Sequence, residues 1–269
     1  MDGCDSQFVD RFRELERLLG ELPDLVVAFS GGVDSSVLLH AAVRVLGSRV
    51  TALIGDSPSL PRRELAEALA FAARLGVRLE RLATDEFEHD GYRANDGQRC
   101  YFCRHTLFTA MEAWARAHGH TTLAYGEITD DLQEHRPGRR AAAELPVRAP
   151  LREAGFSKDD VRRYARAHGL AVAEKPAAAC LASRVPLGTV VTRARLARIE
   201  AAEEALRGFG FALLRVRDHG ERARVEVAPE ELERARVLEP ELRERLGALG
   251  FARLELAAYL RARPSAAKS

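Results

Sequence analysis

Leu25-Val26-Val27-Ala28-Phe29-Ser30-Gly31-Gly32-Val33-Asp34-Ser35-Ser36 is the stretch that decides the fold of this chain. Its first five residues are an apolar run of strand length, and the run stops at a pair of glycines. A periodic apolar segment follows and predicts a helix from Ser36 to Leu46. Strand, tight turn and helix in that order aim several backbone N–H groups, and the positive end of a helix, at one point. That arrangement receives a phosphate or pyrophosphate. Ser30, Ser35 and Ser36 carry hydroxyls that can donate to phosphate oxygens, and Gly31 and Gly32 let the backbone come close. Asp34 puts a carboxylate where phosphate would bind, which makes sense as a holder of Mg²⁺. The turn lacks the Gly-Lys-Ser/Thr of a Walker A loop.

On either side of this stretch, strand and helix patterns alternate. An amphipathic helix is predicted over Phe8–Leu19, then strands at Arg49–Ile54, Val77–Leu82 and Thr121–Tyr125 and helices at Arg62–Leu75 and Arg104–His118. This rhythm predicts an α/β fold with a doubly wound parallel sheet, whose ligands bind beyond the carboxyl ends of the strands. The glycine turn, Gly55-Asp56-Ser57-Pro58 and Gly126-Glu127 all fall at such ends. Gly126–Pro150 reads as a polar connecting loop. Ser157, with Asp160 three residues on, reads as the capped start of a helix running to His168. Lys175–Thr192 is non-periodic, and the domain boundary is placed near its end. Residues 1–188 form the nucleotide domain and 189–269 a smaller α+β domain, with a helix at Arg195–Gly208 and strands at Leu213–Arg217, Ala223–Val227 and Ala252–Leu256.

The composition, 46% hydrophobic and 30% charged, suits an ordinary globular protein. A formal net charge of +1 gives no overall field to draw the chain to nucleic acid. No apolar run approaches the ~20 residues of a membrane span. The acidic start, Met1-Asp2-Gly3-Cys4-Asp5, lacks the apolar region of a signal peptide. A cytoplasmic, reducing location is expected, in which the four cysteines are not disulfides. The only lysines are Lys158, Lys175 and Lys268; arginine supplies the rest of the positive charge.

Cys100-Tyr101-Phe102-Cys103 is a Cys-x-x-Cys at a predicted helix start, where the dipole favours thiolates. Cys180 is the third candidate. Three thiolates with one open position suit an iron–sulfur cluster with one free iron. They also suit an incomplete zinc site completed by His105, and three unconnected core cysteines would give the same spacing. Cys4 is assigned no role.

The glycine turn resembles the PP-loop of the ATP pyrophosphatase superfamily, which cleaves ATP between the α- and β-phosphates and adenylates a substrate. Over most of its length the chain resembles the LarE family, ATP-dependent sulfur transferases of nickel-pincer cofactor biosynthesis for lactate racemase. The resemblance rests on Ala28–Ser36, Arg136-Pro137-Gly138, Pro150-Leu151-Arg152-Glu153-Ala154-Gly155 and Lys175-Pro176. It continues through Cys180-Leu181-Ala182-Ser183-Arg184-Val185-Pro186-Leu187-Gly188, Arg215-Val216-Arg217-Asp218-His219-Gly220 and Ala223-Arg224-Val225-Glu226-Val227.

That resemblance implies adenylation of a nicotinate-derived mononucleotide, followed by replacement of a carboxylate oxygen with sulfur. It implies ATP and Mg²⁺ at Ser30, Gly31, Gly32, Asp34, Ser35, Ser36 and Gly126, with Ser183 and Arg184 on AMP or the acyl phosphate. Arg215 and Arg217, on one face of a strand, clamp the substrate phosphate, and Glu203 with Glu226 hold a divalent metal. Some members sacrifice the sulfur of the cysteine at Cys180. Members with a three-cysteine pattern like Cys100, Cys103 and Cys180 hold a [4Fe–4S] cluster, and the chain is read as that type, fed by a sulfide source. Family members form ring-like homo-oligomers, so one is expected here. Where relatives show Gly-Thr-Asn, this chain has Gly126-Glu127-Ile128-Thr129-Asp130-Asp131, which leaves the nucleotide contacts of that segment open. A tRNA thiolase of the same superfamily would share the ATP and cluster chemistry, but four cysteines cannot build zinc ribbons beside a cluster. An amidotransferring synthetase would need a glutaminase segment. A nucleotide-binding regulatory module with structural zinc is the reading from outside the enzymes; iron and sulfide content separates it from the transferase.

Overall fold

A computed structural model describes residues 3–133, 137–176 and 179–260. In chain order the elements are α1 (Gly3–Gly20), β1 (Leu25–Ala28), α2 (Val33–Leu46), β2 (Val50–Asp56), α3 (Arg62–Leu75), β3 (Arg78–Ala83), α4 (Asp90–Ala94) and α5 (Arg99–Ala117). They continue with β4 (Leu123–Tyr125), α6 (Pro137–Ala143), β5 (Val147–Arg148), α7 (Pro150–Glu153), α8 (Lys158–Ala167) and α9 (Arg193–Arg207). The last are β6 (Leu214–His219), β7 (Arg222–Val227), α10 (Leu232–Val237), α11 (Glu239–Gly247) and β8 (Arg253–Ala258). They pack as two units, Met1–His89 with Gln98–Ala178 and Asp90–Gly97 with Ala179–Ser269. Among the described residues no helix is long and apolar enough to cross a membrane.

The first unit is an α/β fold around a five-stranded sheet of order β3-β2-β1-β4-β5, every pairing parallel. β1 is apolar throughout because both faces of the sheet are covered. Leu25 and Val27 pack into a core with Leu15, Leu19 and Leu38, while Val26 packs into another with Phe108, Met111 and Leu123. From β1 the chain winds outward through β2 to β3, then returns to place β4 on the other side of β1. The break in direction between β1 and β4 leaves a crevice at their carboxyl ends.

Two local signals set helix ends. Gly76 closes α3 in the left-handed conformation, φ +66°. Ser157 and Asp160 form a reciprocal capping box at α8. Gly126–Pro150, expected to be a loop, instead contains α6 and the edge strand β5. A two-residue strand and an alanine-rich single helix are too short to show a period of 2 or 3.6. The second unit is α+β. Its sheet has order β6-β7-β8, antiparallel then parallel, and it packs on α9 to α11 around Val216, Val225, Leu206 and Leu246.

Candidate functional site

The glycine turn lies at the carboxyl end of β1. Helix α2 begins at Val33, so Asp34, Ser35 and Ser36 occupy its first turn. Gly31 has φ +71°, and a Cβ there would meet the Ala68 Cβ at 3.1 Å. The turn is tied together by hydroxyls: Ser35 Oγ accepts from the Ser30 N–H at 3.2 Å and donates to the Gly32 carbonyl at 3.1 Å. Ser30 and Ser35 Oγ are 3.0 Å apart. Gly126, at the end of β4, closes the other side. A Cβ on Gly126 would stand 2.7 Å from the Ser35 nitrogen, so only glycine lets β4 end this close to the start of α2. Between them opens a cleft of about 330 Å³ whose lining includes Ser30, Asp34, Ser35, Gly126, Arg104 and Arg139.

The cleft holds both signs of charge. Lys158 Nζ donates to both Asp34 oxygens, at 2.7 and 2.8 Å. Burial raises the Asp34 carboxyl above the ordinary carboxylate range; Lys158 opposes that shift, and Asp131 adds to it. A carboxylate that burial disfavours as an anion is a good oxygen donor for a divalent cation. On the far side of the turn Lys175 Nζ donates to the Gly31 carbonyl at 3.1 Å and pairs with Glu64 at 2.6 Å and Glu67 at 2.9 Å. Through Lys175 the Gly31 carbonyl is tied to Glu64 and Glu67 of α3, which fixes the turn to that helix.

The thiols divide between the units. Cys100 and Cys103 lie three residues apart in the first turns of α5, Cys100 exposed and Cys103 half-buried. That spacing sets them on one face of the helix. Helix α6 docks on the same end of α5: a Cβ on Gly138 would meet the Cys100 carbonyl oxygen at 3.2 Å and the Arg104 Nε at 3.3 Å. Arg136 of the same motif lies outside the described residues, as does the side chain of Cys4. Cys180, half-buried, belongs to the second unit. Among the described residues no group of three or more His, Cys, Asp or Glu stands ready to hold a metal ion.

In the second unit the predicted residues form one connected network. Arg184 is 2% exposed. It donates through Nε to Glu203 Oε1 at 2.9 Å, and through one terminal nitrogen to the Ala179 and Cys180 carbonyls at 2.5 and 3.0 Å. The segment around Cys180 is thereby fastened to α9. Ser183 Oγ also donates to the Cys180 carbonyl, at 2.7 Å. Glu203 Oε1 further accepts from the Val216 N–H at 3.0 Å. Arg215 and Arg217 share a face of β6, opposite Glu226 and Arg224 in β7. Arg217 Nε donates to Glu226 Oε1 at 2.8 Å, and another of its nitrogens donates to the Ser183 carbonyl at 3.1 Å. Glu226 Oε2 is buried without a hydrogen-bond partner. Thus Arg184 and Glu203, singled out separately for AMP and metal, are paired with each other, and Arg217 is paired with Glu226. Asp218, fully buried between Arg195 at 3.0 Å and Arg198 at 2.5 Å, anchors the end of β6, a role the sequence reading misses. Its signal is two arginines at i, i+3 on α9, hidden in a chain where arginine is everywhere.

A parallel sheet with a glycine turn at its switch point and acidic groups beside it defines a PP-loop enzyme of the ATP-utilising kind. Comparison with known proteins agrees. No family model matches the chain. It is 39% identical over 223 residues to an uncharacterized protein of Synechocystis, covering 83% of each chain. It is 33% identical over 234 residues to pyridinium-3,5-bisthiocarboxylic acid mononucleotide synthase of Lactiplantibacillus plantarum, covering 87% of this chain and 85% of that one. A more distant likeness, 27% identity over 166 residues, is to argininosuccinate synthase of Burkholderia pseudomallei, covering 56% of this chain and 41% of that one. The chain belongs to the LarE family, that of the pyridinium-3,5-bisthiocarboxylic acid mononucleotide synthase.

Proposed function

We propose that this enzyme inserts sulfur into a carboxylate of a pyridinium mononucleotide, a step toward the nickel-pincer cofactor, in two stages. In the first, a substrate carboxylate oxygen attacks the α-phosphorus of ATP at the Ser30–Ser36 turn. The bond to the β-phosphate breaks and pyrophosphate leaves. Asp34 would hold Mg²⁺, and the turn's N–H groups with Ser30, Ser35 and Ser36 would take the phosphate charge. In the second stage a sulfur nucleophile attacks the activated carbon, and AMP leaves with the C–O electron pair to give the thiocarboxylate. The observation that carries this reading is the 33% identity with the named synthase over 87% of the chain, joined to the glycine turn at the switch point.

The sulfur is assigned to Cys100, Cys103 and Cys180. Three thiols are the donor chemistry of an iron–sulfur site, and two of them already share the first turns of α5. A [4Fe–4S] cluster on these three would supply sulfide as the nucleophile. Arg184 and Ser183 act by fixing the backbone at Cys180, and Arg215 with Arg217 receive the substrate phosphate. Glu226, with one buried oxygen unpartnered, is the better placed of the two glutamates to take a divalent metal. The second unit, residues 189–269 in particular, serves substrate binding and assembly into a homo-oligomer, and the protein works in the cytoplasm with a separate sulfide source.

Anaerobic purification tests the sulfur assignment. A brown protein with iron and acid-labile sulfide near four per chain is expected, and a colourless zinc protein refutes it. Cys180→Ala is expected to abolish ATP-dependent sulfur transfer while leaving ATP–pyrophosphate exchange with the substrate in place.

A further inference from the structure

Glu127 is a carboxylate with no exposed side-chain surface, standing one residue beyond Gly126. Burial of such a group is costly unless its charge is matched. Here it is matched twice. Glu127 Oε1 accepts from Arg139 Nε at 3.2 Å, and Oε2 accepts from Arg152 at 2.5 Å. Burial raises the nearby Tyr125 phenol well above its ordinary range, and the Glu127 carboxylate adds to that shift. The Arg104 guanidinium lies 5.4 Å from the centre of the Tyr125 ring, over its face. Of these residues, Arg104, Arg139, Tyr125 and Glu127 line the same cleft as Ser30 and Asp34.

The charge balance says what this cluster is for. Because Arg152 also pairs with Glu127, that carboxylate does not fully neutralise Arg139, and Arg139 and Arg104 both reach the cleft wall. The acidic groups Asp34 and Asp131 line the same cleft. It therefore offers carboxylates for a cation and guanidiniums for an anion within one ligand-sized space. With Arg152 on one Glu127 oxygen and Arg139 Nε on the other, the Arg139 side chain is held at the cleft wall.

We propose that Glu127 is a positioning residue that holds Arg139 in the anion-binding wall of the cleft, beside Arg104 over the Tyr125 ring, and that this wall receives the α-phosphoryl group of the adenylate. The inference rests on the ATP reading above, but not on sulfur transfer. Charge-assisted hydrogen bonds of this kind are worth roughly 1.5–3 kcal/mol, or about ten- to a hundredfold in affinity.

The test is calorimetric binding of AMP and of adenosine to the purified full chain. Adenosine carries the same base and sugar without the anion. The parent is expected to prefer AMP by tenfold or more. Arg139→Gln and Glu127→Gln are each expected to lower AMP affinity about tenfold while leaving adenosine affinity within twofold. The double variant should be no weaker than either single one, because both remove the same contact. Arg139→Lys should recover part of the loss and Glu127→Asp less. Should Glu127→Gln fail to fold, Arg139→Gln decides, since that side chain is one-third exposed and its removal leaves the core intact. AMP preference unchanged in Arg139→Gln overturns the inference and leaves the ATP reading standing. A parent that binds neither AMP nor ATP overturns both.

Discussion

The cleft of the first unit and the arginine network of the second are built on different principles. Around the glycine turn, shape is set by backbone. Gly31 takes a positive φ, Gly126 touches the start of α2, and the serines bond the turn to itself. Around Cys180, shape is set by charge. Arg184, Glu203, Arg217 and Glu226 hold one another, and the segment that bears the thiol hangs from Arg184. A backbone-built site resists changes of charge and fails with a single added carbon. A charge-built site tolerates added bulk at its rim and fails when one partner is removed.

The two designs fail in different ways when a residue is changed. Arg184→Ala leaves Glu203 buried without its counter-charge and should cost about 3–5 kcal/mol in urea unfolding. Replacing both partners together, Arg184→Met with Glu203→Leu, should recover most of it; if the double variant is no more stable, charge is not the organising term. Next, Gly126→Ala forces a Cβ into the 2.7 Å approach to the Ser35 nitrogen. Overpacking of this kind costs about 1–3 kcal/mol, and ATP–pyrophosphate exchange should fall by far more than stability does. Equal losses of the two would show that the turn is a fold element and nothing else.

Asp34→Asn removes a carboxylate whose raised pKa marks it as a burden to the folded state above the ordinary carboxylate range. Its thermal midpoint at neutral pH should stay level or rise, while Mg²⁺-dependent ATP binding disappears. The smallest effect is a pH dependence at His40, whose ring accepts or donates at 2.9 Å to the Tyr164 hydroxyl. Burial, with the neighbouring His168 and Arg44, lowers its pKa to about 4. The unfolded chain thus binds the proton more readily, so the stability this residue brings is complete above pH ~6.5 and is lost as pH falls toward 4. His40→Phe should flatten the acid limb of a melting-temperature profile over that window, and an unchanged limb would show that His40 does not set it.

The same contrast explains what could be read from the sequence. Strand, glycine pair and helix are contiguous, so residues 25–46 announce both the parallel sheet and the glycine turn at its switch point. The Ser157 cap and the Gly76 stop are equally local. The pairing of Arg184 with Glu203, or of Glu127 with Arg139 and Arg152, spans intervals from 12 to 25 residues and obeys no period. In a chain this rich in arginine, no single guanidinium stands out until its partner is seen. Asp90–Gly97 belongs with the second unit although it lies between two elements of the first. Asn95 pins it there in a left-handed conformation, φ +54°, donating to the carbonyls of Val185, Pro186 and Thr189. Eight ordinary residues carry no mark of that attachment.

The scarcity of lysine has a practical result. Apart from the α-amino group and Lys268, which lies outside the described residues, the chain's primary amines are Lys158 on Asp34 and Lys175 on the Gly31 carbonyl. Both flank the glycine turn. A general acylating reagent, which on most proteins labels the surface at random, becomes a site-directed probe on this one. Two peptide masses would report whether the turn is open, occupied or released.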